Sequence, residues 1–137
     1  MSITLKRSVL MLVVLLLALA LAGCQQVSDA RSEFCTELRD IGARAVELKA
    51  AKIDDPITKY QSTIDSLATR RQNVNRLARL TSIEAISRLD AALDKVAQAY
   101  TTVQGNVLGP AADKLASAAA ELQQVYNDMN TAVCAAK

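Results

Sequence analysis

The chain contains no histidine and no tryptophan, and its aromatic residues are one phenylalanine and three tyrosines. Without an imidazole there is no Ser-His or Cys-His nucleophile pair. The Glu-x-x-His signature of di-iron helical bundles is missing for the same reason. Four glycines and two prolines in 137 residues leave no glycine-rich loop to cradle a phosphate. Met11 and Met129, the internal methionines, do not make a haem site without a partner ligand. A charge excess is lacking too. Of 16 basic residues, Lys6 and Arg7 fall in an N-terminal segment that holds none of the 14 acidic ones, so the remainder balances. A nucleic-acid partner therefore has no electrostatic support.

Helical periodicity is what the chain does have, with no β-alternation competing against it. A first helix is predicted from about Asp29 to Ile53, with Ser28 as N-cap and a buried seam of Phe34, Leu38, Ile41, Ala45 and Leu48. Asp55-Pro56 ends it, since a residue before proline avoids the helical region and proline suits the first helical position. The second helix, about Pro56 to Arg79, carries Ile57, Tyr60, Ile64, Leu67, Arg71, Val74 and Ala78 at three-four spacing. Arg71 is the polar intruder and is expected to snorkel outward on its stem. Thr81 and Glu84 read as a capping box opening a third helix to about Val103, with seam Ile86, Leu89, Leu93, Val96, Tyr100 and Val103. After Gly105-Asn106 and Gly109-Pro110, a fourth helix from about Pro110 to Ala135 offers Leu115, Ala118, Leu122, Val125, Met129 and Ala132, with Val133 alongside.

Four amphipathic helices with short connections predict an all-α, antiparallel up-down four-helix bundle. A bend in place of a reversal near Leu80 would give a three-helix arrangement or a long hairpin. Carboxylates recur on two faces, Glu33, Glu37 and Asp40 on one and Asp90 with Asp94 on another. Arg39, Arg44, Arg88 and Lys95 are interspersed, the pattern of a solvated face. No catalytic group, metal site or cofactor is assigned, and the expectation is a non-enzymatic protein.

The N-terminus reads as a secretory signal. Lys6-Arg7 is a basic n-region, Val9 to Leu21 an apolar h-region, and small residues follow. The apolar run spans roughly 20 Å as a helix, short of the ~30 Å hydrocarbon core. About 113 residues remain after Cys24, room for one compact domain. Export puts Cys35 and Cys134 where disulfides persist, and two cysteines allow one pairing. In the up-down topology the first helix starts and the last one ends at the same end of the bundle. A Cys35–Cys134 bridge fits that plan without distortion.

Leu21-Ala22-Gly23-Cys24, at the end of this signal, resembles the lipobox of a bacterial lipoprotein. The resemblance implies cleavage between Gly23 and Cys24 and fatty acyl chains on Cys24. One chain holds marginally and several hold durably, so the domain would be anchored without spanning. The expected organisation is a signal peptide at 1–23, lipidated Cys24 with a short linker at 24–30, and a helical bundle at 31–137. Gln25, not Asp, after the cysteine implies the outer membrane in a double-membraned host, otherwise the outer face of the plasma membrane.

The up-down topology would also bring Arg76, Arg79 and Arg88 to the end where the lipidated terminus emerges. Basic residues near anionic head groups contribute about 1 kcal/mol each. The same arginines equally suit a plain solvated end with favourable dipole placement. The final Lys137 is similar to that of the major murein lipoprotein, joined to the cell wall through a terminal lysine. Internal breaks and the proposed disulfide depart from that pattern. The expected function is a membrane-anchored interaction or structural module of the cell envelope, contacting an envelope protein or a lipid surface. The alternatives are a carrier of a small apolar molecule near Tyr60, Tyr100 and Tyr126, or a wall tether through Lys137.

Overall fold

The computed structural model describes residues 2–135. It is all-helical: α1 (Ser2–Lys49), α2 (Thr58–Thr81), α3 (Ile86–Thr101) and α4 (Ala111–Met129), the last continued by a π-helical turn (Asn130–Cys134). Each of α1 and α3 packs against both α2 and α4, while the diagonal pairs make no close approach among the described residues. The α2–α3 pair is the loosest of the four neighbours.

The first-helix seam is buried as its spacing requires, with Phe34, Leu38, Ile41, Ala45 and Leu48 all inaccessible. Tyr60, Leu67, Val74 and Leu77 face them from α2, Leu89, Leu93 and Val96 from α3, and Leu115, Leu122, Val125 and Met129 from α4. Each such leucine or valine contributes about 1.5–3 kcal/mol by leaving water. The core begins at Ala30; from Val9 to Asp29, no residue whose burial is described is buried.

Several local expectations are corrected. Ser28 is not an N-cap, because α1 runs unbroken through 24–30, and the linker is helical. No glycine or proline stands between Gly23 and the seam to break it. An 18-residue stretch of this N-terminal part is apolar enough to cross a membrane and is wholly unburied.

The capping box does not form. The Thr81 hydroxyl donates to the Leu77 carbonyl at 2.8 Å, still inside α2. Ser82 turns left-handed (φ 55°), and the Ile83 amide donates to the Ala78 carbonyl at 3.1 Å. This is a Schellman-type stop that satisfies an orphan α2 carbonyl and sets Ile83 against the core. Satisfying the end of α2 takes Thr81 away from α3, whose N-terminus at Ala85 has no side-chain cap.

At the opposite end the two other connections are tied together. Amides of Ile57, Leu108 and Gly109 donate to carbonyls of Asn106, Asp55 and Ile53 at 2.9–3.0 Å. Pro56 faces Val107 in an isolated bridge and does not open α2. Gly109 takes a positive φ of 54° beside this tie, which a side chain would strain.

Candidate functional site

Cys24 lies on the exposed part of α1 as a free cysteine, and Gly23 beside it has nothing within 4 Å of where a Cβ would stand. The side chains of Leu21 and Ala22 lie outside the described residues, as does Lys137. The thiol follows the apolar stretch and precedes the first core residue, Ala30. It is open to chemistry and structurally expendable.

Cys35 and Cys134 are joined, with Cα atoms 5.7 Å apart although the residues are 99 positions apart in the chain. The π turn delivers the second sulfur. Its Ala135 amide donates to the Asn130 carbonyl at 2.8 Å, five residues back. This wider turn changes the phase of the helix after Met129. Ala132, expected in the seam, is exposed, whereas Val133 and Cys134 pack against the core. Arg31 donates from Nε and Nη2 to the Val133 carbonyl at 3.3 and 3.1 Å, capping a carbonyl the helix end would otherwise leave open.

The acidic faces are neutralised from across the bundle. Arg70 reaches Glu37 at 2.8 Å and Asp40 at 3.0 Å, and Arg76 reaches Glu33 at 3.3 Å. Arg71 does not simply snorkel to solvent. It grips Asp90 through Nε and Nη2 at 2.6 and 2.9 Å and approaches Asp94 at 3.5 Å. The Arg71 guanidinium, with help from Asn75, holds the Asp90 carboxyl below the usual carboxylate range. Glu37 is the one buried carboxylate among the described residues. No group of three or more potential ligands that could hold a metal is found among them.

Of the basic trio, Arg76 pairs with Glu33 and Arg88 with Asp128 at 3.1 Å, both in exposed ion pairs. Arg79 has no ion pair among the described residues and lies exposed at the end of α2. Such surface pairs contribute little each, and Arg79 is the member of the trio left without a carboxylate partner among the described residues.

The tyrosines named for a ligand are engaged in the fold. Tyr60 is buried and donates to Asp55 at 2.6 Å. That bond, the Lys52 amide and Lys59 pull the Asp55 carboxyl down to about 2, while burial pushes the Tyr60 phenol up. Tyr100 donates to the Ile57 carbonyl at 3.1 Å. The Tyr126 ring lies over Gly42, where a Cβ would come within 2.7 Å of it.

Open space lies elsewhere, between α2 and α3. A cleft of about 340 Å³ is walled by Ile64, Leu67, Ala68, Leu93, Val96 and Ala97, with Arg71, Gln72 and Asn75 at its polar side. Gln72 and Asn75 also border a second hollow of about 470 Å³ that reaches Arg76, Arg79 and Leu80. The three-four spacing puts Ile64, Leu67, Leu93 and Val96 in the seams of their helices and gives Ala68 and Ala97 no role. The two alanines, exposed and just off the seam, were the only trace of a gap. Comparison with family models, with curated proteins and with solved structures finds no match to this chain.

Proposed function

We propose that the chain is an extracytoplasmic lipoprotein, cleaved before Cys24 and acylated there, whose domain serves as a non-enzymatic interaction or structural module of the cell envelope. One observation carries this reading. The apolar part of α1 is exposed at every position whose burial is described, is followed by an exposed free cysteine, and adds nothing to a core that begins at Ala30. Such a surface is unfavourable in water and suits a segment that is removed or embedded. The Cys35–Cys134 bridge is in keeping with an oxidising compartment.

The domain is read as an up-down antiparallel bundle. Support comes from the order of the cross-helix pairs: Glu33–Arg76 and Glu37–Arg70, Gln61–Tyr100 and Arg71–Asp90, then Arg88–Asp128 and Lys95–Glu121. Position rises on one helix as it falls on the next. The α2–α3 turn is then the end nearest the anchor, and Arg79 with Arg76 and Arg88 would rest there on anionic head groups.

Metabolic labelling with an alkynyl fatty acid, followed by intact-mass analysis, tests the anchoring. The expected product begins at Cys24 and carries label, and Cys24→Ser abolishes both cleavage and label. Full-length unlabelled protein retained in the membrane would overturn the reading in favour of an uncleaved helix anchor. Photo-crosslinking in the native envelope tests the module: a discrete protein or lipid adduct is expected from exposed bundle positions, and none would remove the interaction role.

A further inference from the structure

The α2–α3 side carries two unlike hollows that share Gln72 and Asn75 as a common border, and together they make a groove. Its deeper part is apolar and narrow, walled by Ile64, Leu67, Leu93 and Val96 and opened by the small side chains of Ala68 and Ala97. Gln72 and Asn75 link it to the hollow beside Arg76 and Arg79. From Ile64 to Arg79 the path along α2 is about 22 Å at 1.5 Å per residue. The apolar volume of about 340 Å³ is at the small end of ligand sites, suited to one chain and not to a pair.

Charge decides what the open end accepts. Arg79 has no carboxylate within ion-pair reach among the described residues, and Arg76 has only its exposed contact with Glu33. Asp90 and Asp94 stand beside the middle of the groove but do not line it. Arg71 and Asn75 hold Asp90, and Arg71 and Gln98 hold Asp94. The groove thus runs from an apolar slot to an available guanidinium, whose planar fork matches a carboxylate.

We propose that this groove binds a long-chain fatty carboxylate, with its alkyl chain between α2 and α3 against Leu67 and Val96 and its carboxylate on Arg79, assisted by Arg76. The module then has a ligand as well as an anchor, and the ligand site does not involve Cys24. Seating an alkyl chain uses the loosest of the helix interfaces, so the chain enters by spreading α2 from α3 without disturbing the α1–α4 side that the disulfide closes.

The test is photocapture by the full chain in phosphatidylcholine vesicles, using a diazirine-bearing palmitate and, in parallel, the corresponding neutral alcohol. Adducts are expected on α2 between positions 64 and 80 and on α3 between 93 and 97, removed by excess palmitate. Arg79→Ala should lower carboxylate capture at least threefold and leave the alcohol unchanged. Ala97→Phe, which fills the slot from an exposed position, should lower both at least tenfold while helical content is kept; Ala68→Phe fills it from the other wall should the first variant unfold. Adducts confined to α1 or scattered over the surface would overturn the proposal, as would unchanged capture in the filled variants. Since no readout depends on acylation, failure here leaves the anchoring proposal standing.

Discussion

Gly42 offers the sharpest test of the packing. It sits inside α1, about two turns before the helix ends at Lys49, where glycine is normally a defect that costs about 1 kcal/mol relative to alanine. In this bundle the missing Cβ makes room for the Tyr126 ring, three of whose carbons would lie 2.7–2.8 Å from an added methyl. No real Cβ tolerates that distance, so the ring must tilt away from α1. Overpacking of this kind costs about 1–3 kcal/mol, against the ~1 kcal/mol gained in helix propensity. Gly42→Ala is therefore expected to destabilise by up to about 2 kcal/mol net. With Tyr126→Leu in place the clash is gone, and the same substitution should stabilise by roughly 1 kcal/mol. Urea unfolding of the domain from Gln25, followed by helical circular dichroism with the disulfide intact, reads both from the midpoint at constant slope. A change of sign between the two backgrounds is the expected result. If Gly42→Ala stabilises with Tyr126 present, the ring does not occupy the space left by the glycine, and the reasoning fails.

The remaining predictions follow from single contacts. Replacing both Cys35 and Cys134 by alanine should destabilise by as much as ~4.7 kcal/mol in the chain-entropy model for a loop of this length, measured by the same unfolding; a loss under about 1 kcal/mol would mean the reduced chain keeps its ends together. Arg70→Ala strands the buried Glu37 carboxylate and should cost about 1–3 kcal/mol, most of it recovered when Glu37→Gln is added. Ser82→Gly relieves a left-handed serine and should stabilise by roughly 1 kcal/mol; no gain would show that the turn is held by contacts worth more than its strain. Asp55 is held at about 2, below its ordinary 3.8. Its stabilising bonds are fully present above about pH 4 and are lost as pH falls through about 2. Acid titration of the midpoint should show that loss, and Asp55→Asn should flatten it.

What the chain determines by itself is whatever depends on near neighbours along it. The three-four spacing of Phe34, Leu38, Ile41, Ala45 and Leu48 dictates a buried helical stripe, because every such residue turns to the same side. The same holds for Leu89, Leu93 and Val96. The N-terminal apolar run and Cys24 are equally local, and they carry the anchoring proposal. The Cys35–Cys134 pairing was legible because, once Cys24 is set apart for the anchor, the remaining two cysteines leave a single choice.

Only tertiary structure decided how those stripes meet. Periodicity says that Ile64, Leu67, Leu93 and Val96 turn inward, but not whether α2 and α3 close upon them. That depends on what borders the space between them: Ala68 and Ala97, both small and exposed, line the cleft and do not fill it. Likewise Glu37 and Asp40 looked solvated beside the arginines of their own helix, while the residue that neutralises them is Arg70, 33 positions away from Glu37. Thr81 shows the local rule losing outright. Its capping signature was genuine, yet the end of α2 needed the left-handed turn at Ser82, and that turn left α3 uncapped. A seam is fixed by the angle between successive residues. A gap, an ion pair or a helix stop is fixed by what stands opposite, and that partner is chosen only when the helices pack.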